Sequence, residues 1–317
     1  MAVYTYPHPQ EIRNFVDEYK IGRIVSLEPI IEGVENSNFV IKTSIGTFVL
    51  TLFEKRMEET DLPFFIELMN HVSANGLECP KPMPRNDGNL YGMLSGRPAN
   101  IFSYIKGKTL NHTSNNHCEE VGRMLALFHQ KTANFNAYRK NMLSLPECKT
   151  LWKKCLIHDT DDALKKEVDC ELHFLEKFWP KNLPIGIVHA DLFPDNVLFY
   201  QNRIVGLIDF YFACNDFLMY DLSICINAWC FNEDYTYNQS KGNSIFKGYN
   251  EIREISIDEL LALPILLRGS ALRFFLTRFY DIKNIPCSNL AIKKDPLEYI
   301  HKIRFHKNIS SVSQYGF

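Results

Sequence analysis

Three things are scarce in this sequence, and each absence excludes a class of protein. There is no excess of charge of one sign: 35 Lys+Arg face 37 Asp+Glu over 317 residues, a formal net charge of −2. A chain built to coat nucleic acid or an anionic membrane carries a basic surplus, so neither partner is expected. There is no paired-cysteine framework. The nine cysteines are scattered, none forms a C-x-x-C pair, and Cys225 and Cys230 have no Cys/His cluster at zinc-finger spacing. That usage reads as reduced, mostly buried thiols in a cytosolic protein. There is no long hydrophobic run. The longest, Leu260 to Leu267, is broken by Pro264 and ended by Arg268, too short to span a bilayer. The opening Met1-Ala2-Val3-Tyr4-Thr5-Tyr6-Pro7 lacks the basic-then-apolar build of a signal peptide. Internal repeats and low-complexity tracts are also missing. What remains, at 46% hydrophobic and 23% charged, is a globular cytoplasmic protein of one large or two modest domains.

Two textures follow one another along the chain. Up to about residue 105 short strands dominate. Arg23–Ile30 and Asn38–Thr43 flank the loop Glu32–Ser37, and the turn Ser44-Ile45-Gly46 leads into Thr47–Phe53, which predicts an antiparallel meander. Leu62, Phe65, Ile66, Met69 and Val72 recur at helical spacing before Gly76. Two further strands are expected at Asn89–Leu94 and Ala99–Ile105. Beyond Lys106-Gly107 the pattern is helical: Cys118–Lys131, one or two long helices in Cys148–Phe178, and most of Tyr220 to Ile303. A small island of strands interrupts it at Gly186–His189, Asn196–Tyr200 and Arg203–Ile208. The expected architecture is α+β: a β-rich lobe over residues 1–105, a larger helical lobe over 106–317, and a hinge near residues 102–107.

That strand island carries the chemistry. His189-Ala190-Asp191-Leu192-Phe193-Pro194-Asp195-Asn196 reads H-x-D-x-x-x-x-N, and a short hairpin then delivers Asp209 at the end of an apolar strand. Phosphoryl transfer from ATP needs a carboxylate to receive a hydroxyl proton and oxygen ligands to hold Mg²⁺ on the phosphates. Asp191 suits the first role. Asn196 and Asp209 suit the second, since Mg²⁺ takes few protein oxygens beside phosphate and water. Asp and Asn also favour turns, so each of these residues alone is an ordinary turn residue; the constellation is what points to a kinase. His189 is expected to brace the loop, Asp221 to cap a helix or hold the loop, and His129 to be a satisfied core histidine. The loop Glu32–Ser37 occupies the place where a kinase covers the ATP phosphates. Its Gly33 and Val34 backbone and the Asn36 and Ser37 side chains are candidate phosphate contacts, and Ser103, Tyr104 and Ile105 at the hinge are candidate contacts for the rest of the nucleotide.

Taken together, Glu32–Phe39, Leu50–Arg56, Asp61–Phe65, His189–Phe199 and Leu267–Phe274 resemble the aminoglycoside phosphotransferase/choline kinase-like family over essentially the whole chain. Within it the segments are most similar to the bacterial branch acting on homoserine. The resemblance implies a bilobal, protein-kinase-like fold with a small antiparallel β-rich N-lobe and a mainly helical C-lobe. It also implies MgATP-dependent phosphorylation of the side-chain hydroxyl of L-homoserine, a step toward threonine; spacing alone implies only a small-molecule hydroxyl.

One position departs from the pattern. A kinase places a Lys on the third strand, paired with a Glu on the following helix. Counting from the glycine loop, the Lys position falls near Thr51 and the Glu position near Phe65, with Lys55, Arg56 and Glu67 as imperfect substitutes. A nucleotide-binding pseudokinase is therefore a competing reading, as are kinases for choline, ethanolamine, methylthioribose or an aminoglycoside. A metal-dependent hydrolase would require a His-rich site that is not in the sequence. Arg268 and Arg273 lie on an apolar helical stretch, where a buried guanidinium needs a partner. A substrate carboxylate is one such partner, a protein carboxylate the other. Tyr211, Phe212, Phe217, Tyr220 and Trp229 read either as core or as a cage for a quaternary amine.

Overall fold

A computed structural model describes residues 4–30, 36–54, 58–157, 160–284 and 294–317. The chain divides into two compact units. The first holds Met1–Gly107 together with Val205–Tyr211, and the second holds Lys108–Ile204, Phe212–Ile285 and Lys293–Phe317.

The first unit opens with α1 (Pro9–Asp17), which the strand-like texture of this region does not predict. Proline stands at its start, His8 and Glu11 form a reciprocal cap, and Ile12, Phe15 and Val16 share one buried face. The strands β1 (Ile24–Pro29), β2 (Ser37–Thr43), β3 (Thr47–Leu52), β4 (Gly92–Leu94) and β5 (Arg97–Ser103) form one antiparallel sheet in the order β1-β2-β3-β5-β4. The expected meander is present, with Phe39 opposite Leu50 and Lys42 opposite Thr47 across the turn. Phe39, Ile41, Leu50, Leu52 and Ile101 bury one sheet face against the apolar face of α1. Helix α2 (Leu62–Ala74) follows β3 and buries Leu62, Phe65, Ile66, Met69 and Val72.

The second unit contains α3 (Asn115–Lys131), α4 (Leu145–Cys155) and α5 (Asp162–Phe178), so the Cys148–Phe178 span is two helices. Next come β6 (Ile185–Val188) and β7 (Val197–Tyr200); β8 (Arg203–Leu207) pairs with β7 and carries the chain into the first unit. Strand β9 (Cys214–Phe217) pairs antiparallel with β6. The remaining helices are α6 (Leu218–Trp229), α7 (Gln239–Asn250), α8 (Ile257–Asn284) and α9 (Leu297–Lys307). Helix α6 is buried along nearly its whole length.

Helix α8 corrects the reading of Leu260–Leu267 as a broken run. The helix continues through Pro264 for 28 residues. An internal proline removes one backbone donor and crowds the preceding turn, but α8 is held by packing against α4, α6 and α9. By length and composition it could cross a membrane, yet 67% of its apolar window is buried inside the protein, as expected of a core helix.

Candidate active site

The segment between β6 and β7 is an irregular loop fixed from below by one carboxylate. Asp221, fully buried in the first turn of α6, accepts the His189 N–H at 2.7 Å and the Ala190 N–H at 2.9 Å. His129 Nε2 lies 3.1 Å from the same carboxylate, and its Nδ1 lies 2.8 Å from the Tyr249 hydroxyl. Burial alone would raise the Asp221 carboxyl. The hydrogen bond and charge of His129, with His189 beside it, outweigh burial and hold it below the usual carboxylate range. The expected bracing roles of Asp221 and His189 have this geometry, and His129 is a satisfied core histidine. The Trp229 indole N–H ties the loop again, donating to Leu192 O at 2.8 Å.

Ala190 adopts φ +61°, a left-handed conformation uncommon for a residue with a Cβ. Its peptide is gripped from both ends. Asp221 takes its N–H, and Arg273 Nη1 donates to its carbonyl at 2.5 Å. The effect is to present Asp191, which is half-buried. Asn196 Nδ2 donates to Asp191 O at 2.7 Å and to Asp191 Oδ2 at 2.9 Å. Both amide hydrogens are thereby engaged, and Oδ1 remains as an oxygen donor. Burial pushes the Asp191 carboxyl up to about 6; Arg273 opposes that, Asp195 adds to it, and Lys294 and the Asn196 bond oppose it.

The two candidate arginines differ. Arg268 is taken by the protein: Nε and Nη2 reach Glu171 Oε1 and Oε2 at 2.6 and 2.8 Å, and the guanidinium lies 3.5 Å from the Phe174 ring centre. Its charge is met without a substrate. Arg273 is 2% exposed, no carboxylate among the described residues lies within ion-pair distance, and its Nε has no hydrogen-bond partner there. Its guanidinium sits over Phe274 at 4.4 Å and Phe212 at 5.4 Å. Tyr220 and Trp229 are core residues.

The other candidates belong to the first unit. Gly33 and Val34 lie outside the described residues, as do Lys55 and Arg56. Asn36 and Ser37 are buried and committed to the fold. Asn36 Oδ1 accepts the Glu54 N–H at 3.3 Å. The Ser37 hydroxyl donates to Glu54 Oε1 at 2.6 Å and accepts the N–H groups of Tyr4 and Thr5. Nothing of the Ser37 hydroxyl is left for a phosphate. Ser103 N–H donates to Lys81 O at 2.9 Å and its Oγ accepts the Lys81 N–H at 2.9 Å, while Tyr104 is 45% exposed. Ile105 packs against Gly206, where an added Cβ would approach its Cδ1 to 2.7 Å. Asp209 stands in a left-handed conformation, φ +64°, in the segment Val205–Tyr211. Among the described residues no group of three or more His, Cys, Asp and Glu is placed to hold a metal ion.

A protein named homoserine kinase from Agrobacterium fabrum is 51% identical, the match covering 100% of this chain and 99% of that protein. One of the same name from Rhizobium etli is 52% identical with the same coverage. Among solved structures, an amicoumacin kinase in complex with AMP-PNP and Ca²⁺ superposes with a TM-score of 0.71 over 94% of this chain and 92% of that one. At 16% identity that likeness concerns the fold, which is kinase-like. The model of the phosphotransferase enzyme family matches residues 26–255, and with full-length relatives at about half identity the chain belongs to the phosphotransferase enzyme family.

Proposed function

We propose that this protein is an ATP-dependent small-molecule kinase that phosphorylates the side-chain hydroxyl of L-homoserine, a step of threonine biosynthesis in the cytoplasm. The observation that carries the reading is the loop holding Asp191 between Asp221, Arg273 and Asn196, in a chain whose curated relatives match over its full length. A carboxyl group at about 6 is ionised at pH 7.5 and is a stronger base than an ordinary carboxylate, which suits it to accept a hydroxyl proton. The substrate oxygen bonds to the γ-phosphorus of ATP, the bond to the β–γ bridging oxygen breaks, ADP leaves, and the hydroxyl proton passes to Asp191.

Asn196 Oδ1 and the Asp209 carboxylate are the oxygens proposed to hold Mg²⁺. The donor set fits a hard cation that prefers one or two protein oxygens beside phosphates. When bound, the ion would neutralise charge on the β- and γ-phosphates. Arg273 is the proposed contact for the substrate carboxylate, because among the described residues its buried guanidinium has no carboxylate within ion-pair distance and its Nε has no hydrogen-bond partner; Arg268 is saturated by Glu171. Residues 1–105, with the segment around Asp209, are proposed to bind the nucleotide, and Ser103, Tyr104 and Ile105 to border the purine. Residues 106–317 supply the acceptor side.

The test is ADP release from MgATP across homoserine, serine, choline, ethanolamine, methylthioribose and kanamycin. Homoserine is expected to give the only strong signal. Asp191→Asn should lower that turnover at least ~100-fold with MgATP binding retained. Silence across the panel would turn the reading to a nucleotide-binding module, and a preference for another alcohol would move the substrate.

A further inference from the structure

The network beneath the Asp191 loop continues beyond His129. Tyr249, fully buried near the end of α7, has its hydroxyl 2.8 Å from His129 Nδ1 and accepts from Arg253 Nη1 at 3.3 Å. Arg253 Nη2 donates to Glu259 Oε1 at 2.7 Å, and Glu259 is buried in the first turn of α8. The other Glu259 oxygen accepts the Ser256 N–H at 3.0 Å, while the Ser256 hydroxyl accepts the Glu259 N–H at 3.3 Å, a reciprocal helix cap. One file of hydrogen bonds therefore runs from the start of α8 by way of Tyr249 and His129 to Asp221, and from there to the His189 and Ala190 N–H groups.

The hydrogens in this file can point only one way. A guanidinium has donors alone and a carboxylate acceptors alone, so both ends are fixed. At one end the Asp221 carboxylate takes a hydrogen from His129 Nε2. At the other the Tyr249 oxygen already receives Arg253. Burial holds the phenol well above its usual range, so it keeps its own hydrogen. Nδ1 is the acceptor for that hydrogen. An imidazolium would aim a second N–H at an oxygen facing a guanidinium and strand the phenol hydrogen in a buried site.

We infer that Tyr249 is a positioning residue: by donating to Nδ1 it holds His129 as the neutral Nε2–H tautomer, whose single N–H is committed to the Asp221 carboxylate that grips the Asp191 loop. Among the described residues that hydroxyl is the one hydrogen-bond partner of Nδ1. In the other tautomer a ring lone pair would face the Asp221 oxygen, and the hold on two backbone N–H groups would loosen. Ala190 depends on that hold, because φ +61° costs an L-residue free energy unless its surroundings enforce it. Both ends of its peptide lead to α8. The carbonyl is taken directly by Arg273, and the N–H is reached through Asp221, His129, Tyr249 and Arg253 from Glu259.

The inference deepens the phosphotransfer reading and rests on it only for the part Asp191 plays, so two arms of its test need no turnover. In the full-length protein at neutral pH, imidazole ¹⁵N NMR should show His129, assigned by its loss in His129→Gln, with its hydrogen on Nε2 and a hydrogen-bonded, unprotonated Nδ1. Tyr249→Phe keeps the ring and removes the donor. Its Nδ1 signal should leave the hydrogen-bonded position, and exchange of the His189 and Ala190 amide hydrogens should quicken about fivefold, the scale of one hydrogen bond. Exchange in α4 and α5 should not change. With MgATP and homoserine, kcat should fall about fivefold while both KM values hold, because no substrate contact is removed. A hydrogen on Nδ1 of the wild-type ring overturns the inference outright. An unmoved Nδ1 signal in Tyr249→Phe, or wild-type exchange at residues 189 and 190, overturns the positioning role. Exchange quickened equally in α4 and α5 overturns it too, since that is a loss of packing. Unchanged kcat beside both physical effects overturns the link to Asp191. A protein that shows both physical effects but no kinase activity keeps the tautomer assignment and removes the proposed reaction instead.

Discussion

Two environments oppose each other at Asp191. Burial favours the neutral carboxyl, Arg273 favours the carboxylate, and the balance lies at about 6. Only the ionised form can take the proton of the substrate hydroxyl. The value of kcat/KM is therefore expected to be level near neutral pH and to fall tenfold per unit below about pH 6. Removing a positive charge beside a carboxylate disfavours its ionised form. Arg273→Gln should thus move the acid limb to higher pH and raise KM for homoserine more than KM for ATP, whereas Arg273→Lys should keep the limb near its original place. An acid limb that stays put in Arg273→Gln would separate this arginine from the base. The loop itself is legible in the sequence because its members are local: Asp191 and Asn196 stand five apart in one turn, and turn chemistry places them. The groups that tune it are not. Arg273 lies 83 positions from Ala190, and His129 lies 92 from Asp221. Arg268 pairs with Glu171 at a separation of 97. No spacing rule links such pairs; only helix packing does.

At the scale of elements, the sheet meander and α2 follow from alternation and helical periodicity, and the sequence shows both. Helix α1 is less visible, since it is nine residues long and its capping residue is His8 rather than Ser, Thr, Asp or Asn. Strand β9 offers Cys214-Asn215-Asp216-Phe217, which has no alternation of its own and exists because β6 pairs with it. Pro264 misleads in the other direction, because packing of α8 overrides the breaker. The contact of α3 with α7 belongs to the same tertiary class. Gly122 faces the Ile245 carbonyl and Gly248 faces the Glu119 carbonyl, each with no room for a Cβ. In isolation alanine favours a helix over glycine by about 1 kcal/mol. Here Gly248→Ala must force open a helix pair whose backbones touch, and a net loss of about 2 kcal/mol is expected. Urea unfolding checks the sign: a stabilised variant would mean that the helices can separate without cost.

At the scale of the molecule, sequence order and spatial unit diverge at residues 205–211, which lie within the helical half of the sequence yet fold with the first unit. A cut between 105 and 106 captures the change in texture but not this return, because Val205–Tyr211 looks locally like the end of any hairpin. The other long-range closure runs through α6 to the last residues described. His306 Nε2 lies 2.9 Å from Asn227 Oδ1 and His306 Nδ1 lies 3.1 Å from the Tyr315 hydroxyl. Burial, with Lys302 and Arg268 nearby, lowers this histidine to about 3, so it is neutral at any working pH. A neutral imidazole has one N–H, and the Asn227 oxygen can only accept, so that hydrogen is on Nε2 and Nδ1 accepts from Tyr315. The Tyr315 carbonyl also accepts from the Tyr237 hydroxyl at 2.9 Å, and Asn243 Nδ2 donates to Gly316 O at 2.8 Å. Deleting residues 311–317 would remove these partners together, uncover the Tyr237 and Phe305 rings, and leave His306 Nδ1 without its donor. The melting temperature should drop by about 5 °C or more. Tyr315→Phe, which retains the ring and the backbone contacts, should account for only a fraction of that drop, since it removes one hydrogen bond and no apolar surface. Equal losses in the two variants would assign the whole effect to the His306 bond, and no loss in either would mean that α9 and α6 hold that region without the terminal segment.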